Sequence, residues 1–487
     1  MNPRLLYING EWTEAGGVRC RDVIDPATGE AIASVAHASV EDAQRAISAA
    51  RHAFDHGPWP TLSSSERATH LRSLIGALRN HADEIAKIEA LNTGKTLAEG
   101  QSDVSDAIAA FDYFARLIGM DSGALNDAAP NVISMTLREP VGVCGLITPW
   151  NYPILQAAWK LGPALAAGNT VVIKPASLTP LSTHRIAELI HACGFPKGVF
   201  NLVTGGAEVG EALASSTSVD LISLTGSNAA GASVMKAATS NFKRISLELG
   251  GKNPNIVFAD ANLEAAVDQA LNAAFFNAGQ MCSAGSRLLL ERPIYDVFIE
   301  ALTARVKAIR LGHGSLESTQ MGPVISAQQR DRVLALVQGA VEEGARLSCG
   351  GKSPSGVPFD RGFWVEPTLL VDVHASMRIA REEIFGPVIT VECFDGEDEV
   401  VALANNTEFG LASALWTQDF ARANRVLRRL RTATVWVNDF NVTLPHAPWG
   451  GYKASGIGRE LSRAGLDEYT ELKHAYINFE PKAMGWF

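Results

Sequence analysis

Three side chains in this 487-residue sequence have types and settings suited to covalent chemistry at a carbonyl carbon: a thiol, a carboxylate and an amide. Cys282 lies in FFNAGQMCSAGSR, where Gly279 and Gly285 flank the thiol and small neighbours leave it room to be approached. The thiolate is the nucleophilic form, and the immediate neighbours are uncharged. Any fall from a pKa of about 8.5 must therefore come from backbone dipoles or a distant partner. A buried, inert thiol is the alternative. Glu248 closes an apolar strand in SLELGGKNP, just ahead of Gly250 and Gly251, which admit close approach of another backbone. A carboxylate there suits general-base work, or is simply solvated at a strand end. The 34-residue gap between Glu248 and Cys282 permits contact without requiring it. Asn151, in TPWNYP, follows the strand VGVCGLI and precedes a helix. Its amide can stabilise developing negative charge without titrating, although Asn before a proline-containing turn is also common.

A second set of residues suits a nucleotide. No G-x-G-x-x-G stands at a strand-to-helix turn; instead there are VTGGAEVG, with Gly205, and LTGSNAAG, where Gly226, Ser227 and Gly231 open a helix after DLISLT. Free N–H groups at a helix start, with a serine hydroxyl, fit a pyrophosphate, though the same residues fit any tight turn. Lys174 ends TVVIK and is either a ribose or phosphate ligand or a solvated strand end.

The elements that carry these residues alternate. From Val141 the apolar, β-branched runs VGVCGLI, TVVIKP, VFNLV and DLISLT are separated by helical patterns near 153–167, 181–193 and 208–216. Strands apolar on both faces and alternating with helices predict βαβ units and a parallel sheet, with ligands at the carboxyl ends of its strands. Upstream, residues 7–35 read as short strands and turns, and helices are predicted at 41–55, 65–91 and 102–119. The small, polar segment Asp121 to Pro130 precedes a strand, ISMTLREP. Beyond LELGGKNP the alternation resumes with SRLLLE, helices at 293–310 and 326–343, and strands in WVEPTLLVDV, VITVECF and TATVWVN, a second α/β unit. At about 150 residues per domain, the length suits two large domains or three smaller ones.

Composition excludes several classes. With 42 Lys and Arg against 52 Asp and Glu, the net charge is −10, and no basic cluster offers itself to nucleic acid or an anionic membrane. The longest uncharged stretch, between Glu139 and Lys160, is broken by Pro149, Asn151 and Pro153, so no transmembrane helix is predicted. The opening MNPRLLYINGEW lacks an export signal, and a cytoplasmic location is expected. Six dispersed cysteines form no C-x-x-C pair, so neither a metal site nor a disulfide framework is expected.

Taken in order, TPWNYP, VIKPA, LTGS, LELGGKNP, FNAGQMCSAGSR, EEIFGPV and PWGGYKASGIGRE resemble the aldehyde dehydrogenase superfamily over nearly the whole chain. The resemblance implies an α/β fold with a Rossmann-like cofactor-binding domain (1–119 and 141–249), a second α/β catalytic domain (250–445), and a small β oligomerisation arm with the tail (120–140 and 455–487). The terminal GWF is expected to pack on a neighbouring subunit of a homodimer or homotetramer. By the same resemblance Cys282 attacks an aldehyde, Asn151 and the Cys282 N–H hold the oxyanion, and Glu248 activates the water that hydrolyses the resulting thioester. Lys160 and Glu460 match positions linked to a proton path from Glu248. NAD or NADP would meet Lys174 at the adenosine ribose, Trp150, Gly205, Gly226 and Ser227 near the pyrophosphate, and Glu383 and Phe385 at the nicotinamide ribose and ring. Many NAD-preferring relatives carry Glu where this chain has Ser177, and Asn228 replaces the usual Thr after LTGS. Without that carboxylate a 2′-phosphate is not repelled, so NADP is expected to be tolerated. Relatives that acylate coenzyme A generally lack the glutamate at 248, which favours hydrolysis.

TPWNYPILQAAWKLGPALAAGNT, HAPWGGYKASGIGRE and GWF are most similar to the betaine aldehyde and aminoaldehyde dehydrogenases. Tyr152, Trp159, Phe276 and Trp449 are then candidates for an aromatic cage around a quaternary ammonium, each contact contributing about 0.5–2 kcal/mol. The rival is a succinate- or glutarate-semialdehyde dehydrogenase, whose substrate needs a cationic anchor; no Arg stands beside these aromatics in sequence, and Arg287 and Arg431 are the candidates to reach it. A third possibility is a non-catalytic structural relative, against which intact Cys282, Glu248 and Asn151 speak.

Overall fold

The computed structural model describes residues 3–16, 20–120 and 123–486. Residues 121 and 122 of the expected arm, and Phe487 of the GWF terminus, lie outside the described residues. The fold follows from the apolar runs. VCGLI, TVVIK, FNL and LISLT are buried at every position, and a strand buried on both faces needs helices above and below it. They pair in parallel at the centre of an eight-stranded sheet. Its order is Gly456–Ile457, Arg244–Glu248, Leu221–Thr225, Val143–Ile147, Thr170–Lys174, Phe200–Leu202, Leu6–Ile8 and Glu11–Thr13.

A second sheet of seven strands is ordered Arg346–Cys349, Thr368–Val371, Val388–Phe394, Arg287–Glu291, Pro254–Val257, Ala412–Trp416 and Thr434–Val437. It is parallel except at its first strand. Among the described residues a third sheet, antiparallel, joins Ala124–Asn126, Val132–Pro140 and Thr470–Asn478, and a hairpin pairs Cys20–Ile24 with Ala31–Ala36. This is the mixed α/β architecture with a parallel sheet that the alternating runs predict, and it is consistent with the Rossmann-like domain that the resemblance implies. No described helix is long and apolar enough to cross a membrane.

The helix Pro153–Ala167 is buried along its whole length, with Pro153 in its first turn and Gly168 closing it at φ 101°. A Cβ at Gly162 would meet Phe114 Cδ2 at 2.9 Å, so glycine there lets the helix lie close against Leu97–Leu117. Asn151, Trp159 and Lys160 are thereby set on a rigid support.

Several elements differ from expectation, three helices among them. The helix predicted over 65–91 is two, Ser64–Asn80 and Ala82–Thr93, broken at His81, whose ring bonds Glu84 at 2.9 Å. The apolar period continues across the break and hides it. The helix predicted from 102 starts at Leu97, with a capping box between Thr96 and Glu99. Leu263–Phe275, capped by Asn262, is a helix that the apolar pattern did not single out.

Candidate active site

The three candidate reacting residues meet where the two large sheets face each other. Glu248 ends its strand opposite Thr225 on one side and Gly456 on the other. Cys282 lies on the loop between the helix Leu263–Phe275 and the strand Arg287–Glu291, and Asn253 Nδ2 holds that loop by donating to the carbonyls of Cys282 (2.8 Å) and Ala284 (3.0 Å). Asn151 Nδ2 donates to the carbonyl of Gln280 at 2.8 Å, two residues before the cysteine. The Cys282 thiol is within hydrogen-bonding reach of the Glu248 carboxylate, and Trp449 Nε1 donates to Glu248 Oε1 at 3.2 Å. Among the described residues, Glu248 Oε2 has no partner.

Burial sets the electrostatics. It pushes Glu248 up to about 8, with the charge of Glu460 adding to the rise, while the Cys282 hydrogen bond and Lys160 oppose it. Burial also raises the Cys282 thiol well above its ordinary value, and the neighbouring Glu248 charge raises it further. Both groups thus hold their protons more tightly than they would in water, the thiol more so than the carboxyl. Behind Glu248, Lys160 Nζ bonds Glu460 and Ser223 Oγ, the latter at 3.0 Å. Glu460 is tied by two backbone hydrogen bonds to Trp449, so one ribbon carries both residues.

A cavity of about 510 Å³ leads to Cys282 from one side. Trp150, Asn151, Lys174, Gly226, Ser227, Glu248, Glu383 and Phe385 all line it. Ser177 and Gly205 do not; they lie beside it, joined by a 2.7 Å bond from Ser177 Oγ to the Gly205 carbonyl. The residues present fit a dinucleotide. Ser227 caps the helix Asn228–Ala237, presenting N–H groups where a pyrophosphate would sit, and a Cβ on Gly226 would meet nothing nearer than 3.9 Å. Lys174, lowered by burial to about 8, makes only a long 3.4 Å bond to the Pro175 carbonyl. Glu383, raised by burial to about 7, accepts from Gly251 N at 3.0 Å and offers its carboxyl to ribose hydroxyls.

From the other side a cavity of about 360 Å³ reaches the same thiol. Tyr152, Trp159, Phe276 and Trp449 line it together, with Trp159 and Trp449 edge to face at 5.9 Å. So do Asp103, Asp106 and Asp439, while no lysine or arginine does among the described residues. Of the two arginines considered as anchors for a semialdehyde carboxylate, Arg287 is buried in an ion pair with Glu392 at 2.7 Å. Arg431 lies over the Tyr452 ring. Neither lines this cavity.

Several residues of the site escape a sequence reading. Gln329 and Arg332, on the helix Ala327–Glu342, donate to the carbonyls of Phe385 (2.7 Å), Ile384 (2.9 Å) and Glu383 (2.6 Å). They hold Phe385 at φ 56° against Trp150, with ring centroids 5.1 Å apart. Phe440 and the three aspartates complete the substrate side.

The chain belongs to the aldehyde dehydrogenase family: that family's sequence pattern matches residues 12–475. It is an enzyme, an oxidoreductase of aldehydes. Among its relatives, the betaine aldehyde dehydrogenase of Bacillus subtilis is 52% identical over 99% of each chain. The mitochondrial aldehyde dehydrogenase of Mesocricetus auratus is 42% identical over 98% of this chain and 95% of its own. The structure of betaine aldehyde dehydrogenase from Staphylococcus aureus in complex with NAD+ matches at TM-score 0.98 and 47% identity, covering 99% of this chain and 97% of that one.

Proposed function

We propose that this enzyme oxidises betaine aldehyde, or a close amino or ammonium aldehyde, to the carboxylic acid with NAD. The observation that carries the substrate class is the lining of the smaller cavity: four aromatic side chains and three carboxylates, with no cation among the described residues. Ring faces attract a quaternary ammonium that cannot hydrogen-bond, and Asp106 and Asp439 give the mouth the complementary sign, the buried Asp103 being already paired with Lys95. One face of Tyr152 is already covered by Lys95 Nζ, 4.4 Å from the ring centroid, so its other face is the one available. A semialdehyde would bring a carboxylate into an acidic site.

In the mechanism we assign, the Cys282 proton passes to Glu248 and the thiolate adds to the aldehyde carbon. The oxyanion is held by the second Asn151 N–H and by the backbone N–H of Cys282, which has no protein partner among the described residues. When bound beside Lys174, Ser227 and Glu383, the dinucleotide supplies a cationic ring that accepts the hydride. Cys282 is left as a thioester. Once Glu248 has passed the thiol proton on, its Oε2 takes a proton from water, hydroxide adds to the acyl carbon, and the thiolate leaves. Lys160 and Glu460 carry the proton onward from Glu248. Ser177 places no carboxylate at the adenosine ribose, so NADP is accepted as well as NAD.

The discriminating assay is cofactor reduction with betaine aldehyde and with 3,3-dimethylbutanal, which replaces the ammonium nitrogen by carbon, each with NAD and NADP. Two cation–π contacts predict a kcat/KM advantage of about 10- to 100-fold for the charged substrate. Equal values would remove the cationic substrate and leave the aldehyde chemistry standing.

We further assign residues 1–119 and 141–249 to a cofactor domain, 250–445 to a catalytic domain, and 120–140 with 455–487 to an oligomerisation arm. Gly456–Ile457, at the start of that tail, pairs with the cofactor sheet. The three-stranded sheet exposes Leu125, Leu472 and Tyr476, apolar surface suited to a second copy in a homodimer or homotetramer. Leu472→Asp is expected to lower the sedimentation coefficient toward that of a monomer; a wild-type protein already monomeric would overturn the assignment. A thiol nucleophile suits a reducing compartment, and we place the enzyme in the cytoplasm.

A further inference from the structure

Asn151 is gripped from behind by charges that no step above uses. Its backbone carbonyl accepts from Lys95 Nζ at 2.9 Å and from Asn277 Nδ2 at 3.1 Å, which occupies both lone pairs and fixes the peptide plane. Lys95 is 2% exposed and paired with Asp103. From the first turn of the same helix, Glu99 Oε1 accepts from Asn277 N at 2.6 Å. Asn277 and the following Ala278 hold φ of 50° and 51°, a conformation that non-glycine residues keep only where their surroundings over-determine it. The far side of the grip is equally fixed: Gln280, whose carbonyl receives Asn151 Nδ2, donates to the Asn277 carbonyl at 3.1 Å and accepts from Ile325 N at 2.9 Å.

A buried lysine–aspartate pair adds little stability over an apolar pair of the same shape, so stability alone does not account for a charge here. Its geometry does. The amine reaches the one carbonyl whose orientation sets the direction of the Asn151 carboxamide, and it covers the back of Tyr152 on the substrate wall. We infer that Lys95 is a positioning residue for the oxyanion site: together with Asn277 it clamps the Asn151 carbonyl, so that the carboxamide keeps one N–H on the Gln280 carbonyl and the other toward the reacting carbon. This rests on Asn151 being the oxyanion donor.

The test uses the whole enzyme and two reactions: aldehyde oxidation, and hydrolysis of the neutral ester p-nitrophenyl acetate, which needs the thiol and the oxyanion donors but no cofactor. Lys95→Met is expected to slow acylation in both reactions by the same factor, about 10- to 100-fold, with the dinucleotide Kd unchanged. Asn151→Ala alone is expected to cost on the order of 10²-fold or more. Adding Lys95→Met to it should cost less than about threefold, because the residue acts through a side chain already gone. Losses that multiply instead would overturn the inference, since Lys95 would then act elsewhere. If Asn151→Ala leaves ester hydrolysis intact, the oxyanion reading itself fails, a separate and recognisable result. Should Lys95→Met not fold because Asp103 is left unpaired, Lys95→Met with Asp103→Asn removes both charges and runs through the same cycle with the uncharged ester.

Discussion

Cys282→Ala is expected to lower kcat/KM for aldehyde oxidation by on the order of 10⁶, to the level of the uncatalysed background, because among the described residues no other thiol lines either cavity. Asn151, Glu248 and Cys282 all line the cofactor cavity, and of these Cys282 also lines the substrate cavity. On the mechanism proposed, it is therefore the point at which aldehyde and dinucleotide would meet. The substitution removes one sulfur and leaves the loop intact, since Asn253 holds the backbone carbonyls of residues 282 and 284 rather than the thiol. Dinucleotide affinity should accordingly stay within about threefold of wild type, as measured by calorimetric titration, because the groups that hold it lie elsewhere in the cavity. Retention of oxidation within tenfold would remove Cys282 as the nucleophile. Retained affinity with lost chemistry separates this enzyme from a non-catalytic relative.

The three candidate residues stand out in the sequence because each lies in a recognisable string, two of them at or just beyond the end of a strand. Glu248 terminates the strand RISLE ahead of two glycines, Asn151 stands at a strand-to-helix turn, and both fall at the carboxyl edge of the sheet, where α/β folds bind ligands. What holds them was not legible. Lys95, in the string NTGKT, looks like a solvated turn lysine and is instead buried against Asp103 and the Asn151 carbonyl. Gln329 and Arg332 pin the Glu383–Phe385 loop from a helix more than 50 residues upstream, and their spacing resembles any exposed helix face. Such partners act through the tertiary fold alone, and residue type near them carries no local periodicity. The acidic lining had the same fate: Asp103 and Asp106 fall on one helix, but Asp439 joins them only when the second sheet closes over the thiol.

Glu248→Gln is expected to release about one equivalent of reduced cofactor per site in a burst and then to turn over 10²- to 10⁴-fold more slowly, about the weight of a general base. The two half-reactions respond differently to the lost carboxylate. For attack on the aldehyde the effects oppose one another: a proton acceptor disappears, yet the negative charge that raises the Cys282 thiol disappears with it, so more thiolate forms unaided. For hydrolysis of the thioester there is only loss, because the unpartnered Oε2 that would take the proton from water becomes an amide. Thioester therefore accumulates, detectable by mass as an acyl adduct on Cys282. The pH dependence follows with the same sign. Glu248 works as the carboxylate, and burial raises it to about 8, so below that pH most of the enzyme carries it protonated and inactive as a base. Wild-type deacylation should rise through pH 8 and level above it, and the rise should vanish in the glutamine variant. Equal steady-state rates for the two proteins, or an unchanged acid limb, would assign the water-activating step to another group.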